Sequence, residues 1–462
     1  MSQNLPQTPF ARIRERLGPK EFPSDDRGRI RMVVDSLILH LHPSKVPATT
    51  LRWTYTWGLG GLSAVLLTLL IVTGVILLNN YTPSAPQAYL NILELRSNVW
   101  FGELIRNLHH WSANLLIVVA VLHLLRVFFT GAYRPPRELN WLIGVAMLLL
   151  ILGANFTGYL LPWDQLAFWA ITVGTSIIGY VPLIGESLTR LLLGGPEVGP
   201  RTLLNFYSLH IAIIPLLIFG LASYHFWRIR KDGGLTLPKS LHPSPEEEKP
   251  ERVTTIPHLV RKELIFAVAW IAALLLFSML VPAPLEGIAN PDLSPNPAKA
   301  PWYFMGLQEL LLHFHPLVGA ILIPGMAIFG LFLLPFVDVS LENVGVYFRS
   351  ERGRSLSLLA VGLGLLLTPA WVLLDEYVLN WAAWLPGWDP LLSNGLLPLA
   401  LLALGLFLLD AWITRALQAS VEERILFFFV FLFTAFILLT ITGIFFRGRG
   451  MALYWPWEMP TH

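Results

Sequence analysis

Nine stretches of about 20 mostly apolar residues run along the chain, and they limit its fold more than any other feature. Such a stretch crosses a lipid bilayer as an α-helix, because a helix satisfies its own backbone hydrogen bonds where water is absent. Only 13% of the residues are charged, against about 25% in soluble domains. The sequence therefore predicts an all-α, polytopic membrane protein with about nine transmembrane helices. The predicted spans lie near 54–78, 104–129, 139–161, 206–228, 263–282, 316–337, 355–375, 394–413 and 424–446.

Lysine and arginine are divided unequally between alternate loops. If the N-terminus is cytoplasmic, 25 of the 32 Lys and Arg residues lie on the cytoplasmic side of the membrane. Cytoplasmic loops of membrane proteins carry an excess of these residues. We therefore expect a cytoplasmic N-terminus and, after nine spans, a C-terminus outside.

The second and fourth predicted spans each carry two histidines. His109 and His123 are fourteen residues apart, and His210 and His225 are fifteen apart. At about 1.5 Å and 100° per residue, each pair lies along one helix face, with about 21 Å between its members. A single histidine would more often be a hydrogen-bonded core residue, but polar groups at membrane depth are costly and usually functional. Two matched pairs can clamp two planar metal rings at two heights, and bis-histidine haem fits this arrangement.

Glycines repeat this spacing in the first and third predicted spans. Gly60 and Gly74 are fourteen residues apart, as are Gly144 and Gly158. Glycine costs a helix about 1 kcal/mol relative to alanine, and it lets another group approach the backbone closely. The shared spacing predicts flat surfaces for two porphyrins, although packing of small residues between helices is an alternative explanation. The first four spans would then form a haem-binding four-helix bundle.

Other polar residues flank the histidine levels. Arg106 and Arg126 each lie beside one level, where a guanidinium can pair with haem propionates. His110 points about 100° away from its neighbour, so we interpret it as a polar neighbour of the outer ring. His313 and His315 are interpreted as interfacial residues.

Five segments resemble cytochrome b of the quinol-oxidising bc-type complexes. The match is closest to the photosynthetic branch, where the second histidine pair is also fifteen residues apart. The resemblance extends from about residue 30 to 232 and more weakly to 340, so the chain resembles a fusion of two parts that are separate in that branch. The five segments are LIRNLHHWSANLL, VLHLLRVFFTGAYRPPRELNW, GYLLPWDQLAFWA, NFYSLH and HFWRIRKDGG.

The resemblance implies electron transfer across the membrane through two haem b groups. His109 and His210 would bind the outer haem, and His123 and His225 the inner haem. Quinol would be oxidised near the outer surface, with one electron passing to a Rieske iron–sulfur protein and one through both haems to a quinone near the cytoplasmic face. This would contribute to a proton gradient. The implied partners are that protein, c-type cytochrome subunits, quinone and lipid, in a homodimeric complex of the bacterial inner membrane, without nucleic acid.

The spans and the resemblance together divide the chain into five parts. These are a cytoplasmic amphipathic N-terminal segment (1–50), a dihaem four-helix domain (51–232), a cytoplasmic linker (233–262), a quinol-site domain (263–350) and additional transmembrane helices (351–462).

The resemblance also implies a quinol pocket. Its predicted residues are Tyr159, the surface helix around 168–175, Pro301, Trp302 and Tyr303. The loop that contains Trp302 and Tyr303 differs in sequence from the usual one of the family, and this difference favours menaquinone as the quinone, with ubiquinone and plastoquinone as alternatives.

The pocket departs from the family pattern at a carboxylate. The family usually has Pro-Glu-Trp-Tyr, whereas this sequence has Ala-Pro-Trp-Tyr from Ala300. Glu309 is the predicted substitute for the missing proton acceptor, which has to reach the quinol hydroxyl directly or through a water. Glu309 could alternatively cap a helix or face the membrane interface.

The chain has no cysteine, which excludes disulfides, covalently bound haem and cysteine-ligated clusters within it. In the photosynthetic branch a cysteine at the position of Gly58 attaches an extra haem. A non-covalent haem near Arg230 and Lys231 remains an alternative, and Asp232 is a candidate for quinone protonation.

Two other classes of protein also fit parts of the pattern. A dihaem b-type membrane anchor of another quinone-linked dehydrogenase or hydrogenase needs paired histidines, but it has no use for Trp302 and Tyr303. A transporter fits the nine spans but would show no b-type absorption bands.

Overall fold

A computed structural model describes residues 45–459 except 255–257 and 339. Within this part of the chain nine helices are long and apolar enough to cross a membrane, which confirms the all-α polytopic fold. Most of the predicted N-terminal segment, residues 1–50, lies outside the described residues. The nine spans are Leu59–Leu78, Gly102–Phe129, Glu138–Tyr159, Pro200–Lys231, Arg261–Leu280, Leu317–Val337, Glu351–Tyr377, Leu392–Arg415 and Val421–Phe445.

The first four spans form a four-helix bundle. The first span packs along the second and the third along the fourth, while the second also contacts the third. Aliphatic side chains fill the interior, among them Leu66, Leu116 and Ile218. The fifth span packs against the first and second, so it joins the rest of the chain to the bundle.

Short helices and a small sheet connect the spans. Strand β1, Lys45–Pro47, pairs antiparallel with strand β2, Arg252–Thr254, and so ties the start of the bundle to the segment before the fifth span. The short α-helices are Trp53–Thr56, Ala85–Ser97, Gln165–Ile178, Gly185–Leu193, Pro245–Glu248, Met305–His313 and Trp381–Trp384. Short 3-10 turns lie at Ala48–Leu51, Trp302–Phe304, Arg449–Met451 and Pro456–Glu458.

The two membrane faces are named here by the nearest histidine of the second span, as the His109 face and the His123 face. At the His123 face a buried ionic cluster joins the loop after the second span to the later spans. Arg134 lies 2.7 Å from Asp338 and 3.0 Å from Glu422, and Arg349 lies 2.8 Å from Asp338. The seventh and ninth spans pack along each other beside this cluster, and the sixth packs against the third.

Complete π-helical turns, of five or six residues, lie in three of the spans within the described part of the chain. The turns are Leu209–Ile213, Leu317–Leu322 and Leu392–Leu396. Each ends two residues before a proline, at Pro215, Pro324 and Pro398. Proline has no N–H and its ring crowds the carbonyl four residues earlier, and a π-turn, which hydrogen-bonds over five residues, accommodates both effects.

Candidate functional site

The four predicted haem ligands meet in two pairs inside the bundle. The ring centres of His109 and His210 are 6.2 Å apart, and those of His123 and His225 are 6.5 Å apart. Two metal–nitrogen bonds of about 2 Å, plus about 1 Å from each nitrogen to its ring centre, give a separation of about 6 Å. Both pairs therefore have the separation that a single metal ion between two imidazoles requires.

Hydrogen bonds orient the rings of the pair nearest the His109 face. The Thr73 hydroxyl donates to the Leu69 carbonyl and lies 2.9 Å from Nδ1 of His109, so it accepts from that nitrogen. Nδ1 of His210 donates to the Ala154 carbonyl at 2.9 Å. With Nδ1 carrying the proton, Nε2 of each ring keeps the lone pair that binds a metal.

The π-helical turn explains why the two histidine pairs differ in spacing. His210 lies inside the turn Leu209–Ile213, whereas the second span is α-helical from His109 to His123. A π-turn holds one residue more than the α-helical turn that it replaces. Fifteen residues in the fourth span therefore cover the same height and rotation as fourteen in the second.

Each of the four predicted glycines lies against one histidine ring. A Cβ atom on the glycine would lie between 2.5 and 3.7 Å from Cε1 of that ring. The glycine spacing therefore copies the histidine spacing because each glycine makes room for one imidazole. The pairs are Gly60 with His123, Gly74 with His109, Gly144 with His225 and Gly158 with His210.

A cavity of about 1030 Å³ opens beside the first histidine pair. Its wall includes His109 and His210, and also Leu166 from the surface helix Gln165–Ile178. The indole N–H of Trp302 donates to Oδ1 of Asn114 at 2.6 Å, which fixes this side chain against the second span. Four residues predicted for the quinol pocket also line the cavity: Tyr159, Pro301, Trp302 and Tyr303.

Glu309, the fifth predicted pocket residue, is not among the side chains that line this cavity. It is fully buried, with Arg447 at 2.7 Å and His313 at 3.3 Å. His313 also contacts Asp375, and Arg447 contacts Glu376. Burial raises the pKa of Glu309, but the hydrogen bonds from His313 and Arg447 outweigh this and leave the pKa below its ordinary value. A proton-accepting role for Glu309 stays a prediction.

Two carboxylates that the sequence analysis did not select line the cavity. Asp164 precedes the surface helix and caps it by accepting from the Ala167 N–H at 2.9 Å. Glu286 follows the fifth span, and its N–H donates to Asp164 at 3.1 Å. Burial raises the pKa of Asp164, against the opposing effect of these two N–H groups. The sequence PWDQ indicates Asp164 as the residue that caps a helix. No sequence pattern indicates that Glu286 lies at this cavity.

The family described as "Cytochrome b(N-terminal)/b6/petB" matches residues 114–288. The menaquinol:cytochrome c reductase cytochrome b subunit of Geobacillus thermodenitrificans is 43% identical over 180 residues, 39% of this chain and 80% of the relative. This chain belongs to the cytochrome b family.

Other cytochrome b proteins match more of the chain. The cytochrome bc complex cytochrome b subunit of Chlorobaculum thiosulfatiphilum is 36% identical over 317 residues, 66% of this chain and 71% of the relative. A solved hyperthermophilic respiratory Complex III chain has the same fold, with a TM-score of 0.61 at 22% identity over 91% of this chain and 97% of that one. The cytochrome b fold therefore extends well beyond the family match.

As a cytochrome b the chain binds haem and takes part in electron transport in a membrane. Among the described residues no group of three His, Cys, Asp or Glu side chains could hold a metal ion. Haem needs only two protein ligands, because the porphyrin supplies the other four nitrogens. The histidine pairs therefore suit this cofactor.

The two arginines of the second span differ in their surroundings. Nη2 of Arg126 is buried without a hydrogen-bond partner in the described structure, while Nε donates to the Tyr55 carbonyl at 3.1 Å. A buried donor without a partner is costly, and a haem propionate would satisfy it. Arg106 instead donates to the carbonyls of Ala283 and Pro284 at 2.9 and 2.6 Å.

The space beside Gly58 is used by an aromatic ring of the protein itself. A Cβ atom at Gly58 would lie 2.6 Å from the Phe266 ring, and the φ angle of Gly58 is +64°. The Phe266 ring therefore lies in the space that the absent side chain of Gly58 leaves. Lys231, which the sequence analysis placed near a possible third haem, lies over the Trp227 ring at 5.7 Å.

Proposed function

We propose that this cytochrome b is the quinol-oxidising subunit of a bacterial Rieske/cytochrome b complex. Quinol is oxidised in the cavity at the His109 face, and one of its electrons leaves to a Rieske iron–sulfur protein and onward to a c-type cytochrome. The other crosses the membrane and reduces a quinone at the His123 face. Proton release on one side and uptake on the other contribute to the proton gradient.

One observation carries this proposal: the cavity is lined both by a histidine pair and by the residues of the quinol motif. A quinol held against Tyr159, Trp302 and Tyr303 would lie beside His109 and His210. Burial raises the pKa of Tyr303, so this hydroxyl stays protonated and can donate a hydrogen bond to a quinone oxygen. A membrane anchor without its own quinol reaction has no need of this arrangement.

The chain's own residues would hold two haem b groups in place. His109 and His210 would bind one haem and His123 and His225 the other, and the Nδ1–H hydrogen bonds of the first pair leave Nε2 of each ring free to bind metal. Arg126 would bind a propionate through its unpaired nitrogen. Haem at both histidine pairs would supply one-electron carriers at two heights, since His109 and His123 lie about 21 Å apart along the second span.

The proposal also covers the orientation of the chain in the membrane, its substrate and electron acceptor, and its division into domains. The excess of Lys and Arg supports a cytoplasmic His123 face, with the C-terminus outside the inner membrane. The named activity of the Geobacillus relative supports menaquinol as the substrate and a c-type cytochrome as the acceptor. The proposal includes the five-part division of the chain, with a dihaem domain at 51–232 and a quinol-site domain at 263–350. It also includes a homodimeric complex.

Purification of the complex tests the proposal. We expect two haem b per chain in reduced-minus-oxidised spectra, menaquinol oxidation coupled to a c-type cytochrome, and a co-purifying iron–sulfur protein. His210→Leu and His225→Leu should each remove one haem. A complex that contains both haems yet oxidises no quinol would exclude the proposed activity and favour a membrane anchor, and a haem-free chain would exclude both.

A further inference from the structure

The cavity needs a proton acceptor that its Trp-Tyr loop does not supply. Oxidation of a quinol breaks two O–H bonds, and Pro301 stands where the family usually has a carboxylate. Only two carboxylates line the cavity among the described residues, Asp164 and Glu286. The acceptor should therefore be sought in this pair.

The backbone of Glu286 is held on both sides. Its N–H donates to Asp164, and its carbonyl accepts from the Tyr89 hydroxyl at 3.0 Å. The next carbonyl, of Gly287, accepts from the N–H of Gln165 at 2.8 Å. These bonds fix the segment against the surface helix, so Glu286 stays at the wall of the cavity.

Hydrogen bonds also hold the residues just before Glu286. Arg106 donates to the carbonyls of Ala283 and Pro284, and Oδ1 of Asn107 accepts from the Ala283 N–H at 2.8 Å. Arg106, near the start of the second span, therefore holds the loop after the fifth span in place. The loop carries Glu286 as a part of the bundle rather than as a free surface segment.

The two carboxylates differ in what they are free to do. Asp164 is buried, and its two oxygens already accept the N–H groups of Ala167 and Glu286, so a proton from quinol would compete with one of these contacts. The residue Glu286 is exposed while it also lines the cavity. Its carboxylate can thus meet a substrate on one side and bulk water on the other.

We propose that Glu286 accepts a proton from quinol in the cavity and releases it to water at the His109 face. The two quinol O–H bonds break in turn, and each time an O–H bond forms on the Glu286 carboxylate as one electron leaves, the first to the iron–sulfur partner and the second towards the haem that His109 and His210 would hold. Glu286 passes each proton to water before it accepts the next, so two protons and two electrons leave for each quinol. This role rests on the proposed quinol oxidation.

The test compares five purified complexes in a quinol:cytochrome c assay: the natural one and the variants Glu286→Gln, Glu286→Asp, Asp292→Asn and Glu309→Gln. Glu286→Gln should lower kcat about 100-fold at neutral pH, because general-base catalysis is typically worth 10²- to 10⁴-fold. Haem spectra and yield should not change. Glu286→Asp should recover most of the rate, and the natural complex should show a rise of rate with pH that is absent from Glu286→Gln. Asp292→Asn, an exposed carboxylate of the same loop that does not line the cavity, is the matched control and should keep the full rate.

Each other outcome would overturn the inference. If the natural complex oxidises quinol and Glu286→Gln does so equally fast, Glu286 is not the acceptor while the proposed function stands. If Asp292→Asn slows the reaction as much as Glu286→Gln, the effect comes from loop charge alone. If Glu309→Gln lowers kcat at normal haem content and Glu286→Gln does not, Glu309 is the acceptor. A natural complex with no quinol oxidation would remove both proposals.

Discussion

Gly158 shows at the scale of a single residue how little space surrounds His210, one of the four proposed haem ligands. A Cβ atom there would lie 2.5 Å from Cε1 of His210, a separation that real Cβ atoms essentially never show. The ring of His210 is also held by its bond to the Ala154 carbonyl, so it cannot turn aside without losing that bond. The site therefore depends on the missing side chain of Gly158 as much as on the ligand itself.

We expect Gly158→Ala to remove the haem at the His109 level and to leave the other haem bound. Haem content per chain, from reduced-minus-oxidised spectra, should fall by half. Gly153→Ala is the matched control on the same helix, because its Cβ atom would lie at an ordinary 3.8 Å from Ile214. Full haem content in Gly158→Ala, or equal loss in both variants, would contradict this account.

Residues within one helix were predictable because helix geometry is fixed. The spacing of His109 and His123 gave their heights and faces directly. Glu286 could not be found in this way, since its position depends on a bond to Asp164 that lies 122 residues earlier in the chain. Glu309 was selected for its closeness in sequence to Trp302, yet its partner Arg447 lies 138 residues further on. Side chains on loops follow such distant contacts rather than local spacing.

At the scale of secondary structure, the π-helical turn at Leu209–Ile213 keeps two helices in register. It adds one residue between His210 and His225, and the proline two residues beyond it removes the N–H that a regular helix would use. Sequence analysis predicted the nine spans to within a few residues because apolar length is a strong signal. It did not predict the π-turns, which periodicity alone does not reveal.

Deletion of single residues tests this register. Removing Ala212 and replacing Pro215 with alanine should restore a regular helix in which the two histidines are fourteen positions apart, so both haems should remain. Removing Val118 from the second span should rotate His109 by about 100° relative to His123 and cost one haem. Haem content of the two variants is the measurement. Loss of haem in the first variant alone would show that the π-turn has another role.

At the scale of the whole molecule, a buried ionic network at the His109 face joins the helix that follows Trp302 and Tyr303 to the seventh and ninth spans. Glu309 is on the helix directly after Tyr303, Asp375 and Glu376 end the seventh span, and Arg447 follows the ninth. The side chains of Arg447 and Glu309 are 1% and 0% exposed. The C-terminal helices, for which sequence analysis found no role, thus hold the loop that lines the cavity.

Arg447→Met should destabilise the protein by about 3–5 kcal/mol, because it leaves Glu309 buried without its main partner. Thermal unfolding of the purified chain in detergent measures the loss. Arg190→Met is the control, since the Arg190–Glu186 pair is 68% and 79% exposed and such pairs contribute little. Equal melting temperatures for both variants would show that the buried pair adds no net stability.

The small sheet between β1 and β2 fastens the two halves of the chain at the His123 face, and the bonds from Arg106 and Asn107 to the loop after the fifth span fasten them at the other. These contacts should hold the two halves together without the covalent connection between them. A break in the backbone within residues 233–249 would therefore leave neighbouring helices in contact, and the same contacts would form if the two halves were made as separate chains.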